Sequence, residues 1–343
     1  KNVINGIDLA AEGGLVWIKG QNIPGKDHYL FDTDRGVGNF LMSNVTNAED
    51  ISTNSLETFN NNGFTVGSST RTNSTGQPDH FYASWSFRKA PKFFDAVTWT
   101  GDGVGSKQIL HSIGSTPGVI IVKKTSGGDP GDWRVYHKDV VNQGALNLAD
   151  QFTSSGISDV TSTSFNVGGT GDTTNGFNYS GYTYVAYLFA ADTPGLIKCG
   201  SFSSATFIET GFKPQWVLFK SIDKAGDWQI FDSKRDGTTG DPVHKAMLNP
   251  NKDNSEASGY VVEFDDTGFR QQVTGENTIY VAIAAPVVAS MTQEQVNNTK
   301  LLFQTKGYRE AKYDQDLVTQ ATTLRAGFEA QGFTTAEINE VLD

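Results

Sequence analysis

Lys123, Asp132, Trp133 and His137 stand within one short stretch, VKKTSGGDPGDWRVYH, and together they are the side chains an active or binding strand would need. An imidazole beside a carboxylate can move a proton near neutral pH, and a flat indole can lie against the apolar face of a pyranose ring. Two other stretches copy this one: LVWIKGQNIPGKDHYLFD at 15–32 and WVLFKSIDKAGDWQIFD at 216–232. With Asp27, Asp132 and Asp227 superimposed, His28, Trp133 and Trp228 coincide, as do Leu30, Val135 and Ile230, and Phe31, Tyr136 and Phe231. Upstream, Lys19, Lys123 and Lys220 mark the same place in each copy. His137 does not persist, because Asp32 and Asp232 replace it, and His28 replaces the tryptophan. A catalytic group would not survive such exchange, so the repeated stretch reads as a hairpin scaffold with variable tips.

Each candidate carries a structural reading beside the chemical one. Exposed rings at His28, Trp133 and Trp228 would give three sugar contacts, whereas buried ones would fix three hairpins, and residues that recur in an internal repeat favour the second. Asp32 with Arg35, and Asp232 with Arg235, recur at i and i+3; such a pair binds a polar ligand or holds a turn, and the turn is favoured. A glycosidase needs two carboxylates at roughly 5–10 Å. Asp102, Glu209, Glu263, Asp265 and Asp266 are available, but none sits in an acid/base motif, so no catalytic residue and no enzyme activity is expected. The five histidines lack metal-ligand spacing, and no G-x-S-x-G or P-loop is present. The loops at 100–105 and 169–176 and the pair Asp265-Asp266 could hold calcium through carboxylates, but plain turns are the favoured reading; no metal and no cofactor is expected.

The elements that must position these residues are short strands. The copies are spaced by about a hundred residues, too long for a solenoid unit, so each is a small subdomain. The chain has 343 residues, 37 of them glycine, and few helix-forming runs before residue 290, which is the composition of a turn-rich β protein. Leu15–Lys19 is a continuous apolar run of the kind buried on both faces of a sheet, and His28–Phe31 returns beside it. Phe64–Gly67 (FTVG) recurs as Phe165–Gly168 (FNVG), and Tyr82–Phe87, Tyr184–Phe189 and Tyr280–Ala285 align as the closing strands. The expected architecture is mainly β: three related antiparallel sandwich or jelly-roll-like repeats at 1–90, 91–192 and 193–289, then a small helical segment at 290–343. In that segment Leu317, Ala321, Leu324 and Phe328 share one helical stripe, expected to dock on the β body or around an oligomer axis.

The net charge of −11 and the lack of a basic cluster argue against nucleic acid as a partner. No apolar run reaches the ~18 residues of a membrane-crossing helix, so no membrane insertion is expected, and no secretory signal is visible from Lys1 onward. Cys199 is the one cysteine, which rules out a disulfide framework and fits a small buried hydrophobe.

The ordered motifs VWIK (16–19), LFDTDRG (30–36), SWSFRKAPKFFD (84–95), GSTPGVIIVK (114–123) and DWRVYH (132–137) resemble a domain family of tailed bacteriophages, marine and cyanobacterial ones especially. The likeness covers residues 7 to 286 and departs at the first junction, where FYASWSF stands for the more usual YVAWSF. The resemblance implies a virion structural protein of the tail, tail fibre or surface, assembled in the host cytoplasm and partnered by other virion proteins. A homo-oligomer, with a trimer favoured, and contact with host-surface glycans go with it. The alternatives are a stand-alone carbohydrate-binding module and, less well supported, a polysaccharide depolymerase.

Overall fold

Alternation along the hairpin strands decides the architecture. In the computed structural model Gly14–Gly20 and Pro117–Lys124 are buried at every position, and Pro214–Ser221 is buried from Trp216 to Lys220. A strand covered on both faces has to serve two cores with successive side chains. Val16 and Ile18 face one cluster with Tyr29, Phe31 and Phe64, while Leu15 and Trp17 face another with Leu30 and Trp85. The third copy repeats this: Val217 and Phe219 pack with Phe264 and Phe269, and Trp216 and Leu218 turn the other way.

The structure describes residues 1–74, 79–127, 131–168, 176–204, 207–235, 243–271 and 274–285. The chain divides into Lys1–Ala285 and Pro286–Asp343. The helical expectation for 290–343, with Leu317, Ala321, Leu324 and Phe328, lies outside the described residues, as does 169–175 of the second calcium-loop candidate.

Among the described residues the protein is mainly β with antiparallel sheets, as the sequence predicts. Each hairpin is antiparallel, with Lys19 opposite His28, Val119 opposite His137 and Trp216 opposite Asp232. The closing strands Tyr82–Arg88, Thr183–Ala190 and Thr274–Ala284 pair with the other edge of the first hairpin strand, so each hairpin strand is central. Further strands, among them Phe94–Thr100 in the second copy and Ile197–Ser204 in the third, complete a five-stranded sheet in every copy. Facing each is a smaller sheet: Asn2–Ile4, Gly63–Val66 and Leu56–Asn60 in the first, Ser106–Leu110, Ser164–Gly168 and Ile157–Ser158 in the second, and Phe207–Glu209, Gly268–Gln271, Val262–Asp265 and Val243–His244 in the third. The registers correspond, with Val3 opposite Phe64, Ile109 opposite Phe165 and Ile208 opposite Phe269. The lead-in 1–12, which carries no strong pattern, supplies the strand Asn2–Ile4 and a one-turn helix, Leu9–Glu12, capped by the Asp8 carboxylate. A side chain at Gly63 would fall 2.0 Å from the Val3 carbonyl, and one at Gly268 would fall 2.1 Å from that of Ile208; both strands approach too closely for anything else.

The common core holds residues from all three copies. At its heart Phe87 meets Phe189 at 5.4 Å and Trp216 at 5.3 Å, both edge to face. Trp17, Trp85, Trp133, Trp216 and Trp228 all lie in this shared core. Heating the full chain should therefore move the tryptophan emission in a single transition. Three separable transitions would mean that the copies fold independently.

Candidate functional site

The three aligned ring positions are interior: Trp133 and His28 are 0% exposed and Trp228 2%. An enclosed indole has no face to offer a sugar, so the ligand reading of His28, Trp133 and Trp228 is corrected to a structural one. What the rings do is cross between copies. Trp133 Nε1 donates to the carbonyls of Met42 (3.0 Å) and Val45 (3.2 Å) in the first copy, and Trp228 Nε1 donates to the Ala145 carbonyl (2.8 Å) in the second. His28 takes the same place against the third copy, its Nε2 toward the Asn249 peptide without closing a hydrogen bond, while Nδ1 accepts from Trp17 Nε1 at 3.0 Å. The ring thus runs from second to first, third to second, and first to third copy.

The three lysines run the same way. Lys123 Nζ reaches the Thr46 carbonyl of the first copy (2.7 Å), Lys220 reaches Ala149 of the second (3.2 Å), and Lys19 reaches Asp253 of the third (3.2 Å). Burial lowers Lys19 and Lys220 each to about 8. The receiving loops are set by one repeated brace. Asn44, Asn147 and Asn251 each accept from the backbone N–H of the ring residue and donate to Asp27, Asp132 and Asp227 respectively. The receiving carbonyls flank that asparagine: Met42, Val45 and Thr46 around Asn44, Ala145 and Ala149 two residues either side of Asn147, and Asp253 two residues beyond Asn251.

The Asp–Arg pairs are interior too, and they are clamps rather than exposed ligand groups. Arg35 Nε meets Asp32 at 2.6 Å, Nη1 meets Glu49 at 2.8 Å, and Nη2 donates to the Leu30 carbonyl at 2.9 Å. Arg235 makes the same three contacts with Asp232 (2.5 Å), Glu256 (3.0 Å) and the Ile230 carbonyl (2.9 Å). A neighbouring copy adds the last donor: Tyr187 Oη to Asp32 at 2.7 Å, and Trp85 Nε1 to Asp232 at 2.9 Å. Burial opposes the Arg35 charge, but Asp32, Tyr187 and Glu49 outweigh it and hold the pKa above its ordinary value. Burial also raises Tyr187 well above the phenol range, so it stays a donor. The salt bridge at i and i+3 is legible in sequence; Glu49, Glu256, Tyr187 and Trp85 are not, since only topology brings them in.

The second copy has no such clamp. His137 stands at the aspartate position, buried, with Nε2 at 3.4 Å from the Tyr280 carbonyl of the third copy, and burial lowers it to about 4. Among the remaining candidates, Glu209, Glu263, Asp265 and Asp266 are exposed at the smaller sheet of the third copy and are not brought together around a cleft. Asp102 accepts from Lys107 (2.6 Å), from the Val104 N–H and from Asn178, which lower it to about 2. No group of three or more His, Cys, Asp or Glu among the described residues could hold a metal ion. Cys199 is buried, its Sγ 3.3 Å from the Ala190 carbonyl, and burial pushes the thiol up.

A cleft of about 370 Å³ opens in the third copy beside Lys220, lined by Asp227, Gln229, Asn249, Tyr260 and Gln271 among others. The sequence reading passes over it, because none of its polar residues belongs to a known motif.

One family model matches residues 1–285, and its description reads Domain of unknown function (DUF7483). No curated protein and no solved structure matches the chain.

Removing one partner of a buried ion pair strands the other, so Asp32→Ala should cost about 3–5 kcal/mol in urea unfolding, and adding Arg35→Met should recover part of the loss. An unchanged midpoint in Asp32→Ala would contradict the clamp. The buried histidines set a pH window. Burial holds His137 at about 4 and His28 well below 6.5, so between these values the unfolded chain binds protons that the folded chain refuses. Stability should fall as pH drops from about 6.5 to about 4, with His137 contributing on the order of 3 kcal/mol. His137→Gln should flatten that slope, and an equal slope would remove His137 from the account.

Proposed function

Taking as premise that the chain belongs to the DUF7483 family, we propose that it is a non-enzymatic structural component of a phage virion, in the tail, a tail fibre or the surface. Its partners are other virion proteins, and part of its surface contributes to recognition of host-surface glycans. One observation carries the framework part. The repeated Trp and Lys side chains, which are among those able to do chemistry, hydrogen-bond carbonyls of the neighbouring copy, and the buried Asp–Arg clamps take their last donor from it. Rigid bracing suits a part that transmits load, and interior side chains meet no substrate. The motif likeness to phage domains supplies the setting.

A homo-oligomer, with three copies favoured, goes with this reading, its contact face being the stripe Leu317, Ala321, Leu324 and Phe328. Mass measurement in solution should show an oligomer for the full chain and a monomer for a chain ending at Ser290; an oligomer that survives the truncation would overturn the proposed face. Mass spectrometry of purified particles from the source of this sequence should find the chain among their proteins. Its absence from particles would end the virion reading.

A further inference from the structure

Three positions that the first two copies fill with other residues become amides in the third, and all three converge on the cleft. In the register of the smaller sheets Gln271 stands where Val66 and Val167 stand, two residues beyond Phe269, Phe64 and Phe165. Gln229 follows the ring residue, as Tyr29 and Arg134 do, and Asn249 precedes the brace asparagine by two, as Met42 and Ala145 do. The fold accepts valine at the first of these places twice over, buried in both cases. Gln271 is 6% exposed, its Nε2 donates to Gln229 Oε1 at 3.0 Å, and its Oε1 has no partner among the described residues. A buried carbonyl without a donor is costly, and the framework does not need it.

We propose that this cleft binds one ring of a neutral, polyhydroxylated ligand, a sugar, with Gln271 Oε1 accepting a ligand hydroxyl. The charged groups at the cleft are already engaged: Lys220 donates to Ala149 and Ser221, Asp227 accepts from Asn251 and Lys252, and Glu276 accepts from Lys224 at 3.2 Å. That leaves amide dipoles, which suit hydroxyls rather than an anion or a cation. Tyr260, 52% exposed, lines the same cleft and offers an aromatic surface for the apolar side of a ring. The volume falls within the roughly 300–1,000 Å³ typical of small-molecule sites.

The inference names a site for the glycan part of the proposed function and rests on it. Particle composition tests the framework role separately, so a chain present in particles that binds no sugar would remove the cleft and leave the framework standing. The probes are glucose, galactose, mannose and N-acetylglucosamine at millimolar concentration, mixed with the full chain and read by saturation-transfer NMR. At least one should show transfer, at least about tenfold weaker in Gln271→Val and in Tyr260→Ala. Gln271→Val installs the residue of the other two copies and should melt a few degrees higher, since it removes an unpaired buried acceptor. Transfer from none of the four sugars, equal transfer in Gln271→Val, or a lower melting temperature for that variant would each overturn the proposal.

Discussion

A hairpin strand buried on both faces has no water on either side, and most of this protein follows from that constraint. In the first and third copies its alternate side chains divide between the core of their own copy and the core shared by all three, and in the second both faces belong to the shared core. Any polar atom at its ends must find a partner in protein, because an unpaired buried donor or acceptor loses its hydration without return. The partners come from the neighbouring copy. Tryptophan suits the ring position because it fills a large apolar volume and still carries one N–H to place on a carbonyl. Lysine suits the strand end because its long stem crosses the apolar layer and its ammonium reaches the next loop.

Each copy both gives and receives these contacts, and with three copies the sequence of donors closes on itself. A linear array of repeats leaves two terminal units whose open faces need capping; a closed ring leaves none. Closure also explains the compensation at the centre. Ala285 stands in the third copy where Phe87 and Phe189 stand in the others, and Trp216 stands where Leu15 and Val119 do. The small residue and the large one arrive together in one copy, so the packed volume at the meeting of Phe87, Phe189 and Trp216 is kept.

The repeat, the hairpins, the two-sided burial of Leu15–Lys19 and the Asp–Arg pairs were legible in the sequence, since each rests on spacing within a few residues. Whether Trp133 and Trp228 faced a sugar or a core was open, because an aromatic at a strand start serves either end. Burial settles it, and burial depends on contacts made from 83 to 91 residues away, to Ala145 for Trp228 and to Met42 and Val45 for Trp133. The outer members of the clamps were hidden for the same reason, Tyr187 lying 155 residues from Asp32 and Trp85 lying 147 from Asp232. Gln271 was hidden differently. The FTVG and FNVG strands announce each other, but the third copy reads GFRQ, and only the shared pairing register reveals that glutamine has taken the place of valine.

An internal repeat is its own control, because each copy shows what the fold requires of the other two. The backbone of Glu49 bonds Thr125, that of Phe152 bonds Ile222 and that of Glu256 bonds Gln21, so Phe152 occupies the glutamate position of the clamp. In the second copy all four clamp members change together: His137 for aspartate, Val140 for arginine, Phe152 for glutamate, and the third copy's Ile283 for the aromatic donor. Phe152 and Ile283 are buried in the common core, and Val140 packs against it. Exchanging a whole buried ion cluster for a neutral imidazole and apolar groups leaves no charge stranded. At Gln271 the matching change is half made: Gln229 takes up Nε2, and Oε1 is left without a donor. That acceptor lies in the wall of a cleft, beside the amides of Gln229 and Asn249, which are bonded to Gln271 and to the Trp228 carbonyl, and an acceptor that the framework leaves unpaired is the kind that a ligand explains.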